Sequence, residues 1–317
     1  MTLWRVKLAG LAGLCGVALA ALAGGCGGRS GDDGRPRVAL IMKARTNPFF
    51  ARMEEGARAA AAQAGADLTV LSIERETDFD KQAGLIEDVV AQGVAALVIA
   101  PADSKAVVAP LLAAQAAGVR IVNVDNRIDR DAASQAGLRI DTFIGPDNEE
   151  GARRVVAFLL EQIGGKGKVA ILEGIRGVDN AEARKRGFEK AAAAAGASVE
   201  VVARESAEWE TDLAMQKMEG ILQRVPDLDA VFCANDSMAL GAIQAIQAVP
   251  REKPVRVAGY DNLQAAREAM AKGLLLATVE QHPEEMGRRG VLAALDLARG
   301  GSVAPEIVIE TEVMTQP

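Results

Sequence analysis

The sequence is poor in the residues that many enzymes and nucleic-acid binders rely on: one histidine, three cysteines, one tyrosine and two tryptophans in 317 residues. The single imidazole, His282, has no cysteine near it, so zinc sites and Ser-His-Asp or Cys-His chemistry have almost no material. His282 stands directly before Pro283 and reads as a marker of a crossing between lobes rather than as a base. No metal site, no cofactor and no enzymatic activity is expected. A dinucleotide fingerprint is missing as well, because the first β-rich run, residues 38–42, leads into Lys43-Ala44-Arg45-Thr46-Asn47, without the required glycines. The run Gly164-Gly165-Lys166-Gly167-Lys168 precedes a strand instead of following one and reads as a turn. Basic excess is absent too. A formal charge of −7 with 3% aromatic residues argues against nucleic acid as the partner.

Residues 1–25 have the build of a signal peptide: Arg5 and Lys7, an apolar stretch from Leu8 to Leu22, then small residues. The apolar part is too short and too rich in Ala and Gly for a good membrane span. Leu22-Ala23-Gly24-Gly25-Cys26 resembles a bacterial lipobox, which implies cleavage before Cys26 and its diacylation; an ordinary secreted protein cut near Ala23 is the alternative. Residues 26–35 form a Gly/Ser/Asp tether of the flexible kind. Losing residues 1–25 removes Arg5 and Lys7 but no acid, which takes the charge from −7 to −9. Cys15 leaves with the signal and Cys233 lies alone in an apolar run, so no disulfide forms within one mature chain. The remaining stretch of about 290 residues exceeds what one hydrophobic core fills, and two lobes are expected.

From Arg37 onward short β-rich runs alternate with Ala-rich helical periods, the pattern of parallel sheets with helices on both faces. Strands are expected near 37–42, 68–73, 96–100, 119–124, 141–144, 167–172, 198–203, 229–233, 255–258, 274–280 and 306–312. The rhythm restarts near Asp141, which predicts two similar doubly wound lobes: 36–145 plus 282–305, and 146–281 plus 306–317.

Ligands of open α/β sheets bind outside the carboxyl ends of the strands, so the residues just after each strand matter most. They are Lys43 and Asn47, then Asp125 and Asn126, then Asp179, Asn180 and Arg184, then Asn235 and Asp236, then Asp261 and Asn262, and finally Gln281. Taken singly, Asn235 or Asp261 reads as a helix cap. Together these side chains suit a neutral polyol, because carboxylates, amides and guanidinium groups each bridge adjacent hydroxyls. Phe49 and Phe50 open a helix behind Asn47 and Pro48, and successive helical positions diverge by about 100°, so at least one ring is free to wall a cleft rather than staple the helix. Trp209, between a strand and a helix, is a second candidate wall.

Asn47-Pro48-Phe49-Phe50, Asp125-Asn126, Ala183 to Phe188, Cys233 to Gly241, Gly259-Tyr260-Asp261 and Gln281 resemble, in this order, the type I periplasmic sugar-binding proteins of ABC transporters, the ribose- and allose-binding cluster. The resemblance spans the mature chain. It implies two lobes of the lactose-repressor-like periplasmic binding fold joined by a multi-strand hinge. It implies Asn47, Asp125, Arg184, Asn235, Asp261 and Gln281 as hydrogen-bonding residues and Phe49, Phe50 and Trp209 as aromatic walls. Asn126 stands where ribose-type members carry Arg, whereas Lys43 and the segment from Val124 to Asp129 are more similar to allose-type binders. A hexose such as allose, a ketohexose or a cyclitol therefore stands beside ribose.

The expected role is an extracytoplasmic, lipid-anchored monomer that delivers a monosaccharide to an ABC permease. Two alternatives share the fold: a sensor that presents sugar to a chemoreceptor or histidine kinase, and the effector domain of a lactose-repressor-like regulator. The second would need a DNA-binding helix-turn-helix where this sequence has a signal peptide and tether.

Overall fold

Twelve strands and ten helices follow one another along residues 35–316, the part of the chain that the computed structural model describes. The expected signal peptide, Cys26 and all of the expected tether but Arg35 lie outside those residues. The first half runs β1 (Arg37–Met42), α1 (Pro48–Ala64), β2 (Asp67–Ser72), α2 (Phe79–Ala91), β3 (Ala96–Ile99), α3 (Val108–Ala116), β4 (Arg120–Val124), α4 (Arg130–Ala136) and β5 (Thr142–Pro146). The second runs α5 (Asn148–Gln162), β6 (Gly167–Glu173), α6 (Asp179–Ala195), β7 (Val199–Ser206), α7 (Thr211–Arg224), β8 (Ala230–Cys233), α8 (Asp236–Gln247), β9 (Arg256–Ala258), α9 (Gln264–Ala271) and β10 (Ala277–Glu280). The chain then closes with α10 (Pro283–Ala298), β11 (Glu306–Ile309) and β12 (Glu312–Thr315).

Two six-stranded sheets result, with orders β11-β5-β4-β3-β1-β2 and β12-β10-β9-β8-β6-β7. The order is the same in both, so the restart seen in the sequence is a repeat of one doubly wound design. Every pairing is parallel except β10 with β12. The central strands β3, β8 and β10 are buried at every residue, as strands covered by helices on both faces must be.

The chain passes between sheets three times. It leaves the first sheet after β5, returns after β10 through His282 and α10, which packs on β3 and β4, and crosses again between β11 and β12. The last crossing corrects the expected lobe boundary. Residues 306–312 are not one strand of the second lobe: β11 pairs with β5 in the first sheet, and only β12 belongs to the second. Glu310 and Thr311 make that switch without a glycine or proline, so the sequence carries no break signal there.

Helix α1 is set by its ends: Asn47 caps it, Pro48 occupies its first position, and Gly65 ends it in the left-handed conformation. It lies directly on α10, where a Cβ on Gly56 would collide with the Glu284 carbonyl and one on Gly287 with the Met53 carbonyl. This close approach ties the β1–α1 loop to the crossing at His282. Among the described residues no helix is long and apolar enough to cross a membrane.

Candidate functional site

The carboxyl ends of the two sheets face each other, and a cavity lies between them.

The first lobe's wall is built from the loops after β1, β2 and β4. Asn47 Oδ1 accepts the Phe49 N–H at 3.0 Å to cap α1, while its Nδ2 reaches Glu76 Oε1 at 3.4 Å. Phe49 and Phe50 are both buried and both line the cavity, with ring centroids 5.1 Å apart and planes at 86°, so neither is spent on stapling the helix alone. Lys43 Nζ lies 3.4 Å from Asp125 Oδ2 and 3.8 Å from Glu76 Oε2. One buried ammonium therefore serves two buried carboxylates. Burial pushes the Glu76 carboxyl up, Lys43 opposes that rise and Asp125 adds to it.

The second lobe's wall is organised around Arg184 of α6. Its guanidinium donates to Asn148 Oδ1 (2.8 Å), the Ala234 carbonyl (2.7 Å) and Gln281 Oε1 (3.1 Å), lies 3.5 Å from Asp261 Oδ1, and stacks 3.8 Å from the Tyr260 ring centroid. Gln281 Nε2 in turn donates to Asp261 Oδ1 at 2.6 Å. Burial holds the Asp261 carboxyl well above the usual carboxylate range against the pull of Arg184. Asp261 does not cap α9, whose cap position is Leu263. Asn235 does cap α8, accepting the Met238 N–H at 2.8 Å, and its Nδ2 faces the Trp209 carbonyl at 3.3 Å. The Trp209 indole rests on Gly174, where any Cβ would run into the ring.

Backbone strain gathers here. Asp125 (φ 62°), Trp209 (φ 70°) and Asp261 (φ 119°) all adopt positive φ without being glycine. Such residues cost about 1–3 kcal/mol each and concentrate at functional sites. Three buried polar atoms of the wall, Asp125 Oδ2, Asn180 Oδ1 and Trp209 Nε1, have no hydrogen-bond partner among the described residues.

The structure brings together Lys43, Asn47, Phe49, Phe50, Asp125, Arg184, Trp209, Asn235, Asp261 and Gln281 around this one cavity. Asn126 is the exception and corrects the sequence reading. The left-handed turn at Asp125 sends the next side chain away from the cavity, so Asn126 donates to the Pro101 carbonyl at 3.0 Å and accepts the Asn180 N–H at 3.2 Å. Glu76 and Asn180 also line the cavity. Asn180 belongs to the polar residues after β6 but nothing sets it apart from Asp179. Glu76 sits in Glu74-Arg75-Glu76-Thr77, a charged run that looks like any solvated loop.

A model of the periplasmic binding protein domain matches residues 38–302. The chain belongs to that family. This periplasmic binding protein is 39% identical over 289 residues to the D-ribose/D-allose-binding protein of Pseudomonas aeruginosa, a match that covers 89% of the chain and 90% of the relative. It is 32% identical to the D-allose-binding periplasmic protein of Escherichia coli, across 84% and 86% of the two chains. An ABC transporter periplasmic solute-binding protein of Actinobacillus succinogenes, solved with bound D-allose, superposes with a TM-score of 0.84 at 36% identity, over 89% of this chain and 98% of that one. Its relatives are transport binding proteins, and this chain is a binding protein rather than an enzyme.

Proposed function

We propose that this protein captures one ribose- or allose-like monosaccharide between its lobes and delivers it to an ABC permease, while diacylated Cys26 keeps it at the extracytoplasmic membrane face. The carrying observation is the cavity wall itself: carboxylates, amides and a guanidinium from both lobes converge with three aromatic side chains on one cavity. Aromatic faces cover the C–H faces of a sugar ring, and bidentate polar groups hold neighbouring hydroxyls. Asp125 Oδ2, Asn180 Oδ1 and Trp209 Nε1 supply two acceptors and one donor ready for such hydroxyls. The relatives that bind D-allose and D-ribose support the same ligand class. Lys43 and Arg184, the two cations of the wall, already lie against Glu76, Asp125 and Asp261, so the charge of a phosphorylated sugar or sugar acid would find no spare cation.

Calorimetry with D-allose and D-ribose, preceded by a thermal-shift screen of about two dozen monosaccharides and polyols, tests the ligand, since a molecule that binds only the folded form raises the melting temperature. A flat screen would sink the sugar reading. Cys26→Ser is expected to release the protein from the membrane fraction and abolish labelling by a palmitate analogue; retention of that variant by the membrane, with no labelling of the wild type, would overturn the anchor.

A further inference from the structure

Helix α6 opens at Asp179 after Val178, whose side chain accepts no hydrogen bond, so its first-turn amides lack a local cap. Two of them find acceptors on the opposite lobe. The Asp179 N–H donates to Ser104 Oγ at 3.0 Å, and the Asn180 N–H donates to Asn126 Oδ1 at 3.2 Å. Both acceptors are buried and already fixed to each other, because Asn126 Nδ2 donates to Ser104 Oγ at 3.3 Å as well as to the Pro101 carbonyl. Neither side chain lines the cavity, yet α6 carries two that do, Asn180 and Arg184.

We infer that Ser104 and Asn126 are positioning residues that cap α6 from across the cleft, completing the helix when the lobes close and holding Asn180 and Arg184 at the cavity. The inference rests on the sugar-capture reading above. A cap that spans the lobes stabilises only the closed form, so its loss acts on release of the ligand rather than on its capture. Because the cap touches no ligand, its removal affects different sugars alike.

Ser104→Ala removes one acceptor with little change in packing, and Asn126→Ala removes the other. Stopped-flow binding of D-allose and D-ribose is expected to show each variant weakened by about five- to tenfold for both sugars, the equivalent of one lost cap, nearly all of it in the dissociation rate. Amide exchange is expected to accelerate at Asp179 in Ser104→Ala and at Asn180 in Asn126→Ala. A slower association rate or a changed preference between the sugars would overturn the assignment, since it would mean that these residues meet the ligand. Intact sugar binding with unchanged exchange in Ser104→Ala would remove the cap and leave the sugar reading standing. If the wild type binds neither sugar while exchange still accelerates in both variants, the cap stands and the sugar reading falls.

Discussion

The two walls of the cavity hold charge in different ways. On the second lobe, Arg184 spreads its donors over Asn148, Ala234 and Gln281, lies against Asp261 and is stacked on Tyr260, so each of its three nitrogens is engaged within the protein. On the first lobe, Lys43 stands between Asp125 and Glu76 at 3.4 and 3.8 Å, both longer than a good hydrogen bond, and Asp125 Oδ2 has no hydrogen-bond partner among the described residues. The Arg184 cluster is a closed network that fixes geometry before anything binds, and the open valences of its wall are left to Asn180 Oδ1 and Trp209 Nε1. The other wall is an arrangement of charges whose remaining valences face the cavity. The difference teaches that removing the central cation should cost much more on the second lobe than on the first.

The largest effect is therefore expected from Arg184→Met. It strands the buried Asp261 and leaves Gln281 and the Ala234 carbonyl without their donor, a loss of about 3–5 kcal/mol of stability together with D-allose binding. Lys43→Met, which removes a cation whose contacts of 3.4 and 3.8 Å are both longer than a good hydrogen bond, is expected to cost about 1–2 kcal/mol. Urea unfolding of both variants at pH 7 checks the pair. Equal losses would erase the contrast between the walls.

The second-largest effect is one of pH. Asp236, behind the second wall, accepts the Leu263 N–H at 2.9 Å and the Thr278 hydroxyl at 2.8 Å, yet burial pushes its carboxyl from 3.8 up to about 7. The native state thus keeps a proton that the unfolded chain has released. Stability from this group is complete below about pH 4 and is lost as pH rises toward 7, on the order of 4 kcal/mol at the limit. Asp261, raised by the same cause, adds to the slope. Unfolding curves at pH 5 and pH 8 are expected to show less stability at pH 8, and Asp236→Asn to shrink that difference by about one proton's worth. Parallel curves for wild type and variant would show that Asp236 holds no such proton in the native state.

Much of this was legible in the sequence because strand ends are marked by a change of residue type. The apolar run Ala230 to Cys233 stops at Asn235-Asp236, and Val257-Ala258 gives way through Gly259 and Tyr260 to Asp261-Asn262, so the rule that ligands meet the carboxyl ends of strands pointed to the right loops. What escaped was direction and long-range pairing. Asp125 and Asn126 are neighbours of equal polarity, and only the left-handed backbone at Asp125 separates a wall residue from a cap on α6. Glu76 becomes a buried acid only because Lys43, 33 positions earlier in the chain, is buried beside it. The β11–β12 switch is hidden for a related reason, since strand propensity runs on through Glu310 and Thr311 whichever sheet provides the partner.

A smaller effect is expected at the aromatic edge of the second wall. In Gly174→Ala the new methyl group occupies the space of the Trp209 ring, forcing the indole off the cavity at a cost of about 1–3 kcal/mol. Fluorescence should report it directly, because Trp209 is the only tryptophan among the described residues. The variant is expected to lose the emission change that the proposed sugar binding is expected to produce in the wild type, while keeping a cooperative melt. An unaltered titration would mean that the ring does not depend on Gly174 for its seat.

The smallest effect sharpens the comparison from the first lobe. Glu76→Gln keeps an acceptor for Asn47 Nδ2, removes one of the two charges around Lys43 and leaves Lys43 paired with Asp125. Burial already pushes the Glu76 carboxyl upward, so the neutral amide replaces a charge that the site holds at some cost. The sign follows: a raised carboxyl destabilises the native state above its ordinary range, so at pH 8 the variant should be as stable as the wild type or more stable by less than about 1 kcal/mol. D-allose affinity should fall by less than about tenfold, since the amide still accepts one hydrogen bond but no longer a charge-assisted one. Calorimetry and urea unfolding at pH 8 measure both quantities. A loss as large as that of Arg184→Met would mean that Glu76 belongs to a network as closed as the one across the cleft.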